Sequence, residues 1–321
     1  MARSVCRMTE AVVPAPNIEA EIKSHGRTNR SPLKPLTLAL PVGYSIVFFL
    51  APLVFLVVLG FWTIENYRVT PAFTLQNYID IAHNMMAGSR YGLAILQSAY
   101  VSVTTAILVV ALAYPFVLAI VYLVPPRLQR LVLLLAIAPF WTSYILRVFA
   151  WQILLAKRGV FNTAMQTLGL DGWQQALLNT QAATRIGLIH YEAPIIVVIL
   201  YVTIAGIDGT LIEASRELGA SRWQTFRRVI LPLSKVGIIL ALSFATIISF
   251  GDVLSGTLLG GGAGPSILGA VPLFSTMIMN DYASSTNLPQ TSVLAMIMVL
   301  ILVAILLVGL KAAESAQKQI T

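Results

Sequence analysis

One cysteine, three histidines and a charged fraction of 11% exclude several large classes of function from these 321 residues. The lone Cys6 can neither close an internal disulfide nor supply a multi-cysteine metal site. His25, His83 and His190 form no H-E-x-x-H pattern, so a membrane-embedded metalloprotease has no support. A G-x-x-x-x-G-K-[ST] phosphate loop is missing as well. The nearest glycine cluster, Gly260 to Gly264, has no lysine after it and reads as a flexible turn. There is no self-similarity at 20–50 residues, which argues against a solenoid. The N-terminal segment has no apolar core followed by a small-residue cleavage site, so no cleaved signal peptide is expected.

Apolar residues, in contrast, make up 57% of the chain, and the mean hydropathy is +0.82. Soluble domains carry about 25% charged residues, so lipid is the main solvent here. The net charge of +8 raises the question of nucleic acid. The basic residues are spread between apolar runs, however, which is the Lys/Arg excess of cytoplasmic loops, and no nucleic-acid partner is expected. Residues 1–35 are polar and interrupted by Pro14, Pro16, Pro32 and Pro35, which reads as a flexible tail. Six runs approach the roughly 20 apolar residues a spanning helix needs: near 40–64, 98–124, 131–155, 186–207, 233–254 and 292–310. The expected fold is therefore an all-α polytopic membrane domain over 36–310, followed by a short tail at 311–321. With the N-terminus in the cytoplasm, the four cytoplasmic segments, with Lys235 at the inner end of the fifth run, hold fifteen of the 21 Lys and Arg. That orientation, with both termini inside, satisfies the positive-inside rule.

One cytoplasmic segment is unusually polar and patterned. Residues 213–233 read EASRELGASRWQTFRRVILPL, with six charges, between the fourth and fifth runs. Thr210 and Glu213 have capping-box spacing, and Ser221 and Gln224 have it again. Gly219 between them fits a left-handed helix cap. The loop, 208–232, is thus expected to be helix, glycine turn, helix. A two-turn helix is not stable alone in water and has to dock on something. Ala214 and Leu218, with Arg216, Glu217 and Arg222 around them, would suit a polar-rimmed groove in a soluble partner. An amphipathic helix lying on anionic lipid is the alternative.

The pattern Glu213-Ala214-Ser215, Leu218-Gly219-Ala220 and Ile230-Leu231-Pro232 resembles the "EAA" loop of permease subunits in binding-protein-dependent ABC importers. Ser215 stands where that pattern often has alanine. The resemblance implies the type I permease fold of six transmembrane helices. It also implies a coupling loop docked on a cytoplasmic ATPase through Glu213, Ala214, Ser215, Leu218, Gly219, Ala220 and Arg222. ATP-Mg would then be bound by separate ATPase subunits, and this chain would carry no cofactor. The other implied partners are a second permease chain, expected to be a different chain although its own copy would serve, and an extracytoplasmic solute-binding protein. The implied location is a bacterial inner membrane.

PFWTSYILRVFAW at 139–151 and FGDVLSGTLLGG at 250–261 resemble the spermidine/putrescine branch of these permeases. A polyamine is therefore the first expected solute, with an amino-acid derivative, another organic cation or iron as alternatives. A secondary transporter would often show internal repeats and broken helices, and the sequence displays neither. Candidate path residues are the acidic Asp252 and Glu192, as a pair of carboxylates drawing in a cation. Their other reading is as interfacial residues or helix–helix hydrogen bonds, which is preferred for Glu192. Trp141, Tyr144 and Trp151 could stack on a cation; packing in the core or in an interfacial belt is the preferred reading, and the belt suits Trp151. Arg147 is expected to snorkel toward the surface.

Overall fold

A computed structural model describes residues 39, 41–65, 68–85, 89–169, 177–261, 273–285 and 287–319. The expected tail at 1–35 and the glycine-rich stretch from Gly262 to Gly264 lie outside the described residues. The chain divides into two compact units, Met1–Leu53 and Val54–Thr321. The described part of the first unit is helical, and none of its side chains is buried.

Among the described residues four helices are long and apolar enough to cross a membrane: α1 (Pro41–Gly60), α3 (Arg90–Leu123), α7 (Gln181–Ala205) and α13 (Leu288–Lys318). Two bent pairs bring the number to six. The first joins α4 (Pro126–Ile137) and its 3-10 extension (Ala138–Trp141) to α5 (Tyr144–Leu155) and α6 (Val160–Thr167) across an 86° bend. The second joins α9 (Arg222–Leu233) to α10 (Lys235–Gly251) across a 61° bend. Between the spans lie an antiparallel hairpin of β1 (Thr63–Glu65) with β2 (Arg68–Thr70), α2 (Gln76–Asn84), α8 (Gly209–Glu217), α11 (Leu254–Leu258) and α12 (Phe274–Ser285). In hydrocarbon every backbone polar group needs an internal partner, so the spans are helical wherever they meet lipid.

Local chemistry sets the ends of these helices. Ser89 caps α3 by accepting from the Gly92 N–H, and α3 stops before Pro125-Pro126, which cannot continue it. Thr180 caps α7 through the Ala183 N–H, and Asn287 caps α13 through the Gln290 N–H. The third span departs from the continuous helix expected over 131–155. It breaks at Thr142-Ser143, where the Thr142 hydroxyl donates to the Pro139 carbonyl at 2.7 Å. Hydropathy averaged over the whole span hides the break, although Pro139 and the polar Thr142-Ser143 pair mark it locally. A helix interrupted within a span, which the sequence did not display, is thus part of this fold. The 311–321 segment read as a tail continues α13 as far as Lys318.

The core is a bundle of α3, α7 and α10, with α13 against α10. Val109, Ala113 and Val117 of α3 meet Ile196, Leu200 and Ile204 of α7 and Ala241 and Ala245 of α10. Between apolar helices in lipid, packing rather than water expulsion drives association, and small residues permit close approach. Gly237 of α10 lies so near Thr203 of α7 that a Cβ there would collide with the threonine side chain. Gly309 of α13 faces Ser243 of α10 in the same way.

Candidate functional site

Two constellations lie at opposite ends of α10. A helix rises about 1.5 Å per residue, so its 17 residues separate them by roughly 25 Å.

The first is the loop of α8 and α9. Helix α8 is capped by Asp208, whose Oδ1 accepts from the Thr210 N–H at 3.0 Å. The box anticipated between Thr210 and Glu213 is not formed. Asp208 is the last residue with extended backbone (φ −62°, ψ 123°), so it takes the capping position and leaves Thr210 inside the helix. The other end follows expectation. Gly219 has φ +80°, its N–H donates to the Arg216 carbonyl at 2.9 Å, and the Ala220 N–H donates to the Ser215 carbonyl at 3.0 Å. These two bonds make a Schellman turn, which reverses the chain within three residues. The second box is complete: Ser221 N–H donates to Gln224 Oε1 at 2.8 Å, and Gln224 N–H donates to Ser221 Oγ at 3.3 Å.

Ser215 joins the two arms. Its hydroxyl pairs with Thr225 Oγ1 at 2.9 Å and also reaches the Ile212 carbonyl. Serine at this position therefore ties α8 to α9, which alanine could not do. Ile212 is buried under the loop, whereas Glu213, Ala214, Arg222 and the tip residue Leu218 are exposed. Leu218 is 89% exposed and Trp223 is 66% exposed, so the loop presents bare apolar side chains within a charged surface.

From Trp223 a line of rings runs inward. Trp223 stacks on Phe226 with centroids 5.2 Å apart, and Phe226 meets Tyr114 of α3 edge-on at 6.3 Å. The Tyr114 hydroxyl is hydrogen-bonded to Ser234 Oγ at 2.7 Å, and Ser234 is fully buried at the 61° elbow between α9 and α10. Sequence reasoning missed Asp208, Tyr114 and Ser234. A serine directly after the Leu231-Pro232-Leu233 bend was the available signal.

The second constellation surrounds the end of α10. Asp252 is buried, as the residue that ends the helix. Its Oδ1 accepts from the Tyr144 hydroxyl at 2.5 Å and its Oδ2 from the Ser255 N–H at 2.8 Å, while its carbonyl accepts from Ser275. Tyr144 opens α5, directly after the break in the third span, so the break delivers this tyrosine to Asp252. Its ring stacks on Tyr191 at 4.1 Å. Glu192 is 0% exposed. Ser249, three residues before Asp252, donates to Glu192 Oε1 at 2.5 Å, and Oε2 has no partner among the described residues. Glu192 thus links α7 to α10 by a hydrogen bond.

Arg147 also departs from expectation. It is buried, not snorkelling, with its guanidinium 5.8 Å from the Tyr144 ring and 5.5 Å from the Tyr191 ring. The reason is its position one turn after the break: a helical side chain leans back over the preceding turn, here onto Tyr144. Its Nε and Nη1 find no acceptor among the described residues. Trp151 donates to His190 Nδ1 at 2.9 Å. Trp141 stays apart from the cluster and is 76% exposed. Of the four path candidates, Asp252, Tyr144 and Glu192 therefore converge and Trp141 does not. Ser249, Ser255, Ser275 and Tyr191 were not anticipated. The three-residue spacing of Ser249, Asp252 and Ser255 could have revealed two of them. Among the described residues no group of three His, Cys, Asp or Glu could hold a metal ion.

Comparison with known proteins gives concordant matches. Residues 116–313 match the family model described as the binding-protein-dependent transport system inner membrane component. The chain is 27% identical over 287 residues to the spermidine/putrescine transport system permease protein PotB of Haemophilus influenzae, covering 89% of this chain and 96% of that one. It is 29% identical over 260 residues to PotB of Escherichia coli K12, covering 80% and 92%. It is also 27% identical to the inner membrane ABC transporter permease protein YdcU of the same organism, covering 84% and 85%. Among solved structures, a chain of a bacterial alginate ABC transporter in complex with an alginate pentasaccharide-bound periplasmic protein aligns with a TM-score of 0.68. The identity is 17%, over 92% of this chain and 96% of that one, a likeness of fold.

Proposed function

Since the chain belongs to the family of binding-protein-dependent transport system inner membrane components, as a permease subunit of an ABC importer, we propose that it carries polyamines such as spermidine and putrescine inward. Its relatives named for that transport cover most of its length, which supports the solute class. Both termini lie in the cytoplasm, so that the α8–α9 loop faces the ATPase and the Asp252 cluster faces the outside. ATP-Mg is bound and hydrolysed by partner ATPase subunits. A second permease chain completes the path, and an extracytoplasmic binding protein delivers the solute.

The loop is the handle on which the ATPases pull. Glu213, Ala214, Leu218, Gly219, Ala220 and Arg222 form its docking surface, and Ser215 braces it from behind. The observation that carries this reading is the combination of a bare Leu218 at a rigid glycine turn with the ring line to Ser234. A displaced loop would rotate α10 about the elbow, and α10 ends at Asp252. Closure of the ATPases thus reaches the outer cluster as a rigid-body helix shift. In the outer cluster, Asp252 and Glu192 attract the ammonium groups of the solute, and the Tyr144–Tyr191 stack offers ring faces to a cation.

The test uses a Leu218→Cys variant with Cys6 replaced by serine. Bifunctional cross-linking in membranes should join this chain to the ATPase, and ATP should change the yield. Absence of the cross-link in an assembled, active transporter would remove the docking role.

A further inference from the structure

Between the end of α3 and the α8–α9 loop lies a cleft of about 790 Å³. Its walls are largely apolar: Leu118, Ala119 and Leu123 of α3 face Ile212, Phe226 and Ile230 of the loop. Its rim is basic, since Arg216 and Arg222 line it, and neither forms an ion pair among the described residues. The apolar wall does not end at the cleft. Leu123 is 79% exposed, and Phe116, Leu112 and Leu108 are exposed above it on α3. With Ala119 between them, these residues recur every three or four positions and make one continuous stripe along the helix.

We infer that this cleft holds an anionic phospholipid, with its phosphate between Arg216 and Arg222 and an acyl chain along the Leu123–Leu108 stripe. The inference rests on the membrane orientation proposed above, which places the cleft at the cytoplasmic headgroup level. The two guanidiniums provide the charge complement to an anionic headgroup. The stripe separates a lipid from a soluble phosphate compound, which would use the rim and leave the track empty. A lipid held here touches α3 and both arms of the loop together, so it would stiffen the handle at the point where force enters the membrane.

The experiment uses the full-length chain in phosphatidylcholine nanodiscs doped with phosphatidylglycerol, with retained lipid read by native mass spectrometry. Wild type should keep one phosphatidylglycerol in preference to phosphatidylcholine. R216Q/R222Q should weaken that retention by roughly thirtyfold, the value of two arginines near an anionic headgroup, and R216K/R222K should keep most of it. R127Q/R130Q removes the same charge from the same membrane face outside the cleft and should retain the lipid. Equal loss in both Gln pairs, or no preference for phosphatidylglycerol in wild type, would overturn the site. Displacement by millimolar glycerol 3-phosphate would also overturn it, as a site for the anion alone. The readout needs no ATPase, so a failure of loop docking leaves this result unaffected.

Discussion

Asp252 has a donor on each carboxylate oxygen, the Tyr144 hydroxyl and the Ser255 N–H. In the proposed scheme a solute ammonium competes with the Tyr144 hydroxyl for Oδ1, so attraction and release are coupled at one atom. Asparagine in its place would keep the size and lose the charge. Asp252→Asn should therefore weaken polyamine uptake at least about tenfold through KM, corresponding to roughly 1.4 kcal/mol, with membrane abundance unchanged. Tyr144→Phe removes only the competing hydroxyl and should lower KM or leave it unchanged. Concentration-dependent uptake in membrane vesicles checks both, and a Tyr144→Phe variant as weak as Asp252→Asn would contradict the displacement scheme. Arg147 supplies the contrast, a buried cation behind the tyrosines.

At the scale of elements, the loop and the elbow carry the predictions. Gly219 lies in the left-handed region, where other L-residues lose about 1–2 kcal/mol. Proline there is excluded by its fixed φ near −65° and also removes the N–H that bonds the Arg216 carbonyl. Gly219→Pro should abolish energised uptake while the chain still inserts, and Gly219→Asn should retain much of it because asparagine tolerates this conformation. Tyr114→Phe breaks the pin to Ser234 with little change of shape. It should leave ATPase docking intact and lower transport per ATP hydrolysed several-fold, on the order of 1 kcal/mol for one hydrogen bond. Simultaneous measurement of uptake and hydrolysis in proteoliposomes checks this. Asp208 is a further sign-defined case. Its bond from the Thr210 N–H holds the carboxyl below the usual range. The cap's contribution is then complete above the ordinary value of about 3.9 and fades only as pH falls through the lower folded value. Coupling should therefore not weaken through Asp208 between pH 7 and 5.

The same elements show how much of the structure the sequence carried. The Ser221–Gln224 box and the Gly219 turn were legible because capping depends on residue type at fixed short spacing. The Thr210 box failed because Asp208, two residues earlier, competes for the same role, and spacing alone does not say which residue leaves the helix first. The break at Thr142-Ser143 was hidden by hydropathy averaged over a full span, which smooths over Pro139 and the Thr-Ser pair and ignores backbone direction. Asp252 and Tyr144 were legible as path candidates, but their union depends on that break. Ser215 looked like a neutral departure, and only the proximity of Thr225 gives it a task. The C-terminal residues read as a tail because they are polar. Yet Ala, Glu, Gln and Lys favour a helix that has already nucleated in the membrane, so α13 continues to Lys318.

In the whole molecule, one helix joins the two working ends. In the proposed mechanism the α8–α9 loop receives motion from a partner ATPase, α10 transmits it, and the Asp252 cluster changes its hold on a polyamine. Six spans, with two of them bent, suit this task better than six straight ones, because the bends place Ser234 and Tyr144 where the moving helix meets its neighbours. The most direct measurement is uptake of labelled spermidine and putrescine by cells lacking this gene and all other polyamine importers, complemented with wild type or Gly219→Pro. Saturable, ATP-dependent uptake restored by wild type alone is the expected result. Uptake that survives ATP depletion under an intact membrane potential, or that Gly219→Pro restores fully, would contradict the account.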